Sequence, residues 1–464
     1  MLKLSSHISA LLERGGTVIV PSRQRAHALR LAYAAAQLAG GRQVWRSPDA
    51  LPLEGWLTRE IESFAADSGS SGVMPRLLCP AEEWLLWRQC TAEATADLEL
   101  VDRASLAESL RSASALAAEL GIDLRASRAA AGTEADLLAA VYRTVAQQCQ
   151  ALGAMPLSAA LSGLPCIGDS CPVVFAGFLS PSPRLQSIVA ARARCGFESA
   201  YPPAADPATT VPPRVVRAAD EREELERIAE WCRGRLTVQT DARLLILLPG
   251  SAGRRERLAA LIRQALSGSA PLVSIEGGQP LATLALVAHA LGSLALLRGE
   301  ALEIESLCEW LRAPWWAEPS PEARARLDLW LREGSRLRLD LASLLRALRN
   351  APAVIEGPAR VIGERLEQAA GSLCASSGTP REWSEWFRTG LDALGWPGAR
   401  TRGSAEQQTL VRFHELLDEL GQLSAAARTL KLDTAVQWLT ELASRTPYRP
   451  ADDDAAITVS PGYE

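Results

Sequence analysis

Residues 15–38 read GGTVIVPSRQRAHALRLAYAAAQL. The β-branched run Thr17–Val20, between two glycines and Pro21, is typical of a buried strand in a parallel sheet. Ser22 is a favourable helix N-cap, and the alanine-rich residues 23–38 predict a long helix. A strand, a tight turn and a helix in this order form the basic unit of an α/β layer. The stretch therefore predicts an α/β fold with parallel strands.

Other apolar runs predict further buried strands at residues 172–175 (PVVF), 243–248 (RLLILL) and 456–459 (AITV). Most of the remaining chain has helical composition, and we expect large helical insertions at about 75–160 and 281–445. The fold predicted is therefore α/β and predominantly helical. The last strand has no predicted partner after it, so we expect the second sheet to be incomplete at the C-terminus.

The length of 464 residues suggests roughly three domains or subdomains. The main boundary is the proline-rich stretch YPPAADPATTVPP at residues 201–213, where no stable core element fits. We therefore predict an N-terminal unit over residues 1–200, a linker over 201–213 and a second unit over 214–464.

The composition excludes disorder throughout the chain, because 48% of the residues are hydrophobic and the mean hydropathy is +0.02. A net charge of −5 also excludes a basic nucleic-acid coat. Of the 49 basic residues only Lys3 and Lys431 are lysines, and the other 47 are arginines. GC-rich codon usage is the simplest cause. The scarcity of lysine nearly excludes mechanisms that require it, such as P-loop ATP binding and Schiff-base chemistry.

Targeting signals are not found in the sequence. The N-terminus lacks the apolar core of a signal peptide, and the longest apolar stretch, residues 281–297, predicts a buried helix rather than a membrane span. Nine cysteines without a CxxC pair favour reduced thiols over a zinc site. These features predict a cytoplasmic protein with no membrane partner.

The sequence contains none of the common motifs for ATP binding, serine hydrolysis or zinc-dependent hydrolysis. GxxxxGK[ST] and GxSxG do not occur, and the four histidines are too widely spaced for an HExxH site. Residues 176–178, which follow the PVVF strand, contain no carboxylate that could hold magnesium. His289 is predicted to be a core residue, and Asp452–Asp454 a solvated loop. We therefore predict no enzymatic activity, no metal and no cofactor.

Six segments in order resemble a bacterial family described as probable DNA repair proteins, relatives of the AddB and RecB helicase-nucleases. They are TVIVPSRQRAHALRLAYAAAQLAGGRQVWRSPDALPLEGWLTREI (17–61), FAGFLSPSPRLQSIV (175–189), REELERIAEWCRGRL (222–236) followed by RLLILLPG, GGQPLATLALVAHALGSLALL (277–297), ESLCEWLRAPWW (305–316) and WSEWFRTGLDALGWPG (383–398).

The resemblance implies two RecA-like, P-loop-type helicase lobes with helical insertions, the second lobe truncated. Full-length members are about twice as long and carry a PD-(D/E)XK nuclease domain, which this chain lacks. By this resemblance, residues 176–178 stand where active helicases have the Walker B carboxylates, and no Walker A segment precedes the first strand. The function implied for this chain is DNA binding by a catalytically inactive, helicase-like part of a DNA repair or recombination protein.

The resemblance also places the turn after the first strand against DNA backbone. A hydroxyl and arginines at a helix N-terminus suit a phosphate, although an ordinary solvated helix start has the same composition. Three arginines open the helix after the third predicted strand, in the equivalent place, and two tryptophans near the loop 41–46 are candidates for stacking on bases. The candidate residues are Ser22, Arg23, Arg25, Arg254, Arg255, Arg257, Trp45 and Trp56.

The partner expected is single-stranded DNA or tailed duplex. A protein–protein scaffold is the alternative hypothesis, in which the helical half docks a nuclease or helicase subunit and DNA binding is vestigial. The acidic net charge fits this alternative slightly better.

Overall fold

The computed structural model describes residues 4–67, 75–99, 102–124, 133–160, 171–178, 181–197, 199–200, 214–266, 273–334, 337–423, 429–449 and 455–461. This part of the chain contains eighteen α-helices and several small sheets, most of them parallel. The prediction of an α/β, predominantly helical protein is confirmed at that level. The chain divides into two compact units, Met1–Arg214 and Val215–Glu464. The predicted linker 201–213 lies outside the described residues.

The described part of unit 1 combines a parallel sheet with eight helices. Its strands are β1 (Thr17–Val20), β2 (Ala50–Pro52), β3 (Arg76–Leu77), β4 (Ala154–Met155), β5 (Val173–Phe175) and β6 (Ser199–Ala200). Its helices are α1 (Ser6–Glu13), α2 (Arg23–Ala39), α3 (Leu53–Asp67), α4 (Pro80–Ala94), α5 (Arg103–Glu119), α6 (Thr133–Ala151), α7 (Leu157–Ala160) and α8 (Pro183–Arg194).

The main sheet of unit 1 has the order β2-β1-β5-β6, and all its strands are parallel. Every residue of β1 is buried, as predicted for a parallel strand covered on both faces. Val18 and Val20 pack with α1 and α2, whereas Ile19 packs with Trp56 and Phe175 on the opposite face. This alternation is the period of two expected of a strand.

The predicted insertion at 75–160 contains α4, α5 and α6, with β3 and β4 paired in parallel beside them. Trp84 and Trp87, three residues apart on α4, are both buried, so the predicted apolar face is a core face.

Unit 2 contains a second parallel sheet and a block of helices. Its strands are β7 (Leu244–Leu247), β8 (Val273–Ile275), β9 (Gln279–Pro280), β10 (Leu302–Glu303), β11 (Arg338–Leu339), β12 (Pro447–Tyr448) and β13 (Ile457–Ser460). Its helices are α9 (Glu221–Val238), α10 (Ala252–Ala265), α11 (Ala285–Leu297), α12 (Ile304–Arg312), α13 (Pro321–Glu333), α14 (Leu341–Arg349), α15 (Glu356–Ser372), α16 (Pro380–Ala393), α17 (Ser404–Gln422) and α18 (Leu432–Arg445).

The sheet β7-β13-β8 shows how the last strand pairs. No partner is predicted to follow β13, and its two parallel partners, β7 and β8, precede it in the chain. The prediction of a buried third strand is wrong for most of β7, which is an edge strand. Ile246 packs against α9 and α10, while the side chains of Leu245 and Leu247 are 61% and 56% exposed. The two helices cover one face of this strand only.

The helical block α11–α18 follows the predicted course, with breaks at the proline- and glycine-containing turns. The longest apolar stretch forms a short 3-10 turn and α11, whose residues are mostly buried. Among the described helices, none has the length and apolar composition needed to cross a bilayer. His289 is buried in this block, and its Nε2 lies 3.2 Å from the carbonyl oxygen of Trp310, as expected of a core histidine.

Among the described cysteines, one differs from expectation. Seven of the described cysteines are free, four of them buried, but Cys195 is disulfide-bonded. The prediction of uniformly reduced thiols is therefore wrong for Cys195.

Candidate nucleic-acid interface

The turn after β1 forms the predicted helix cap. Ser22 has extended backbone angles, and its Oγ accepts a hydrogen bond from the backbone N–H of Arg25 at 3.3 Å. Arg23 therefore occupies the first position of α2 and is exposed. Its guanidinium makes no hydrogen bond or ion pair with any residue that the structure describes. Arg23 is thus available to an external anion.

Arg25 has a structural contact that the sequence did not predict. Its Nη1 donates a hydrogen bond to the carbonyl oxygen of Gly177 at 3.0 Å, joining the turn after β1 to the turn after β5. Gly177 has a φ of +82°, and a Cβ atom there would lie 2.7 Å from Arg25 Nη1. This contact positions the turn, and a contact of Arg25 with DNA stays a prediction.

A cleft of about 440 Å³ opens where β1, β2 and β5 end. In open parallel sheets the carboxyl ends of the strands are where ligands bind. The cleft is lined by residues that directly follow these strands, together with the end of α5 and the start of α8: Pro21, Ser22, Arg23, Pro52, Leu53, Glu54, Gly55, Glu119, Phe178 and Arg184.

The cleft contains two carboxylates, of which Glu119 has hydrogen-bond partners in the described residues and Glu54 has none. The carboxylate of Glu119 accepts hydrogen bonds from the Ser182 hydroxyl and from Arg184, the latter at 3.2 Å. Glu54 makes no side-chain hydrogen bond or ion pair with the described part of the chain. Its charge helps to raise the pKa of the nearby Glu83 carboxyl, which is raised mainly by burial.

The sequence around β1 and α2 is locally basic. Residues 1–50 contain seven lysines and arginines but only two acidic residues, Glu13 and Asp49, so this segment has a net charge of +5. The whole chain has a net charge of −5. This charge is spread over both edges of the sheet, since Arg46 lies near Gly15 before β1, and the cleft beside Arg23 is itself lined by two arginines and two glutamates.

Trp56 is not available to a nucleic acid. Its side chain is 1% exposed, its ring meets Phe175 edge-on at 6.0 Å, and the guanidinium carbon of Arg192 lies 5.7 Å from the ring centre. A base could reach this ring only after the core had opened. The prediction that Trp56 stacks on a base is therefore corrected.

Trp45 lies away from the predicted phosphate contacts. It belongs to the loop that leads from α2 into β2, and so to the amino edge of the sheet, where it packs half-buried against the core. The adjacent Arg46 is at the same edge. Its guanidinium lies close to Gly15, the residue two before β1, because a Cβ atom placed on Gly15 would be 3.6 Å from Arg46 Nη1. Ser22 and Arg23 follow β1 at the carboxyl edge. The structure thus separates Trp45 from them.

Phe178 is the aromatic residue that sequence reasoning missed. It follows Gly177 at the end of β5, is partly exposed and lines the cleft, with its ring centre 6.3 Å from that of Phe175. The sequence signal for it is its place in the turn directly after the PVVF strand.

The three arginines of unit 2 open α10, as predicted, and all three have internal contacts. Arg254 donates to Glu224 at 2.5 Å and holds α10 against α9. Arg255 donates to the carbonyl oxygen of Gly250. Arg257 is 73% exposed and has only a long ion pair, 3.7 Å, with Glu221. Arg257 is therefore the most accessible of the three, and their contact with DNA stays a prediction.

No protein-family model matches the chain, and no curated protein matches its sequence. In the described part of the chain, no three histidine, cysteine or carboxylate side chains are grouped so as to hold a metal ion. The predicted solvated loop Asp452–Asp454 lies outside the described residues.

Proposed function

We propose that this chain is a DNA-binding, helicase-like part of a DNA repair or recombination protein, and that it binds single-stranded or tailed DNA without hydrolysing ATP. The observation that carries the proposal is Arg23, an unpaired guanidinium at the start of α2. It lines a cleft at the carboxyl edge of a parallel sheet, the edge at which open parallel sheets bind ligands, and a guanidinium there can pair with a phosphate.

The parallel sheets β2-β1-β5-β6 of unit 1 and β7-β13-β8 of unit 2 support the finer proposal of two RecA-like lobes. In each unit a parallel strand is followed directly by a turn and a helix that begins with arginine-rich sequence, β1–α2 in unit 1 and β7–α10 in unit 2. The order of the six motifs that resemble the AddB- and RecB-related family agrees with this arrangement.

The turn after β5 supports the absence of ATP hydrolysis in the proposal. A carboxylate that holds magnesium would have to stand at residues 176–178, where the sequence is Ala-Gly-Phe. At Gly177 any side chain would meet Arg25. The two lysines, Lys3 and Lys431, are outside any glycine-rich loop that could cradle phosphates.

Fluorescence anisotropy with labelled single-stranded, tailed and blunt duplex DNA tests the proposal. We expect binding to the first two that weakens steeply between about 50 and 200 mM salt. We also expect no DNA-stimulated release of phosphate from ATP. Absence of binding at the lowest salt would reject the DNA-binding proposal, and DNA-dependent ATP turnover by the pure chain would reject the inactive-helicase part.

The exposed face of β7 favours a second candidate function, the docking of a nuclease or helicase subunit. Leu245 and Leu247 are exposed on β7, which is an edge strand. An exposed apolar edge strand is a surface on which another chain can pair. The full chain should then co-purify nuclease or DNA-dependent ATPase activity from its host. The double variant Leu245→Asp, Leu247→Asp should lose that activity while keeping DNA binding. Equal activity with both chains would reject this candidate.

A further inference from the structure

The cleft at the carboxyl edge of the unit 1 sheet has an apolar part made of one aromatic ring and two proline rings. Phe178 lies on one strand end, and Pro21 and Pro52 lie on the neighbouring two. Aromatic rings in a positively charged groove are the surfaces on which single-stranded bases stack. The volume of about 440 Å³ is within the range of sites that take a single small ligand, such as one nucleotide.

The charged groups that the cleft leaves unpaired have opposite signs. Arg184 and Glu119 satisfy each other at 3.2 Å, which leaves Arg23 and Glu54 without a side-chain partner among the described residues. A guanidinium binds phosphate, while a carboxylate only accepts hydrogen bonds at neutral pH. The cleft therefore offers an anion contact, a stacking surface and a hydrogen-bond acceptor together.

Building on the proposed function, we infer that the cleft receives one unstacked nucleobase of a bound single strand. The base lies on Phe178, its exocyclic amino group donates to the carboxylate of Glu54, and the adjoining phosphate meets Arg23. Cytosine, adenine and guanine carry such an amino group. Thymine and uracil present a carbonyl oxygen in that place, which a carboxylate repels. The cleft is thus selective for amino-bearing bases.

Oligo-dC and oligo-dU of equal length test this selectivity, because cytosine and uracil have rings of the same size and differ in the 4-substituent, amino or carbonyl, and in the proton on N3. We expect the chain to bind oligo-dC roughly fivefold to tenfold more tightly than oligo-dU at about pH 8. Glu54→Gln should remove the preference, since an amide both donates and accepts. Glu62→Gln, an exposed position on the same helix α3, should leave it intact.

Phe178→Leu keeps an apolar side chain in place and removes the stacking ring. This variant should bind both oligonucleotides more weakly, by roughly fivefold or more. It should bind a strand of abasic residues as well as the parent chain does.

The outcomes separate this inference from the proposed function. Failure to bind either oligonucleotide contradicts both. Tight, salt-sensitive binding with equal affinity for oligo-dC and oligo-dU, or a preference that survives Glu54→Gln, overturns the base site and leaves the proposed function standing.

Discussion

Arg25 Nη1 donates a hydrogen bond to the carbonyl oxygen of Gly177 at 3.0 Å, across 152 residues of sequence. The bond joins the turns that follow two adjacent parallel strands, β1 and β5. The cleft lies beside these two turns, so its shape depends on this contact. Arg23 lies two residues before Arg25, directly after the turn that follows β1, and this turn places it on the cleft.

Gly177→Ala tests the role of this contact. We expect the variant to lose about 1 kcal/mol of unfolding free energy, because alanine is disfavoured at positive φ. We also expect weaker DNA binding, since the new methyl group displaces Arg25. Urea denaturation and anisotropy measure the two effects.

Gly196→Ala is the matched control. Gly196 has a φ of +79°, but a Cβ atom there would meet nothing within 4 Å. This variant should lose similar stability and keep its affinity for DNA. Equal loss of affinity in both variants would show that the Arg25 contact does not shape the binding site.

Trp56→Ala distinguishes a core residue from a base-stacking one. We expect a loss of about 3–5 kcal/mol, the usual range for removing a fully buried tryptophan. Trp45→Ala should cost less, because Trp45 is half-buried. Thermal denaturation compares the two. A stable Trp56→Ala chain that had specifically lost DNA affinity would show that Trp56 belongs to the binding surface after all.

Arg254→Gln should affect unit 2 without affecting DNA binding. The ion pair with Glu224 is partly exposed, so we expect a loss of about 0.5–1 kcal/mol in urea denaturation. Arg257→Gln should leave stability unchanged, because that side chain is mostly exposed. If Arg257→Gln lowered the free energy of unfolding and Arg254→Gln did not, the contacts described for α10 would be contradicted.

Thiol labelling reports on the buried cysteines. Burial raises the pKa of Cys90, Cys149 and Cys232 to about 11, and that of Cys308 to about 12. At about pH 8 roughly one such thiol in a thousand or fewer is ionised, and it is the thiolate that reacts. Mass spectrometry of the folded protein should therefore show alkylation at the exposed Cys374 first. If Cys232 were alkylated as fast as Cys374, the burial of Cys232 would be contradicted.

The elements that sequence predicts well have local causes. The strand β1 and the helix α2 follow from a β-branched run, a serine cap and an alanine-rich stretch. The breaks between α11 and α18 occur at prolines and glycines, which disrupt helices in any context. These features need no knowledge of distant residues.

The features that sequence reasoning missed depend on distant contacts. The run RLLILL has the same composition whether its strand is central or at an edge, so the exposure of Leu245 could not be seen. Likewise, nothing local shows that β13 enters between β7 and β8. Trp56 and Phe178 both follow sheet strands, and the fold alone places one in the core and the other on the cleft.

The salt dependence of single-strand binding by the parent chain, Arg23→Gln and Arg46→Gln tests the central claim most directly. Arg46 belongs to the same basic segment but lies at the amino edge of the sheet. We expect Arg23→Gln to reduce the slope of log K against log salt by about 0.7, the share of one phosphate contact on a single strand. Arg46→Gln should keep the parent slope. An unchanged slope for Arg23→Gln, or equal reductions in both variants, would contradict a phosphate contact at the carboxyl edge.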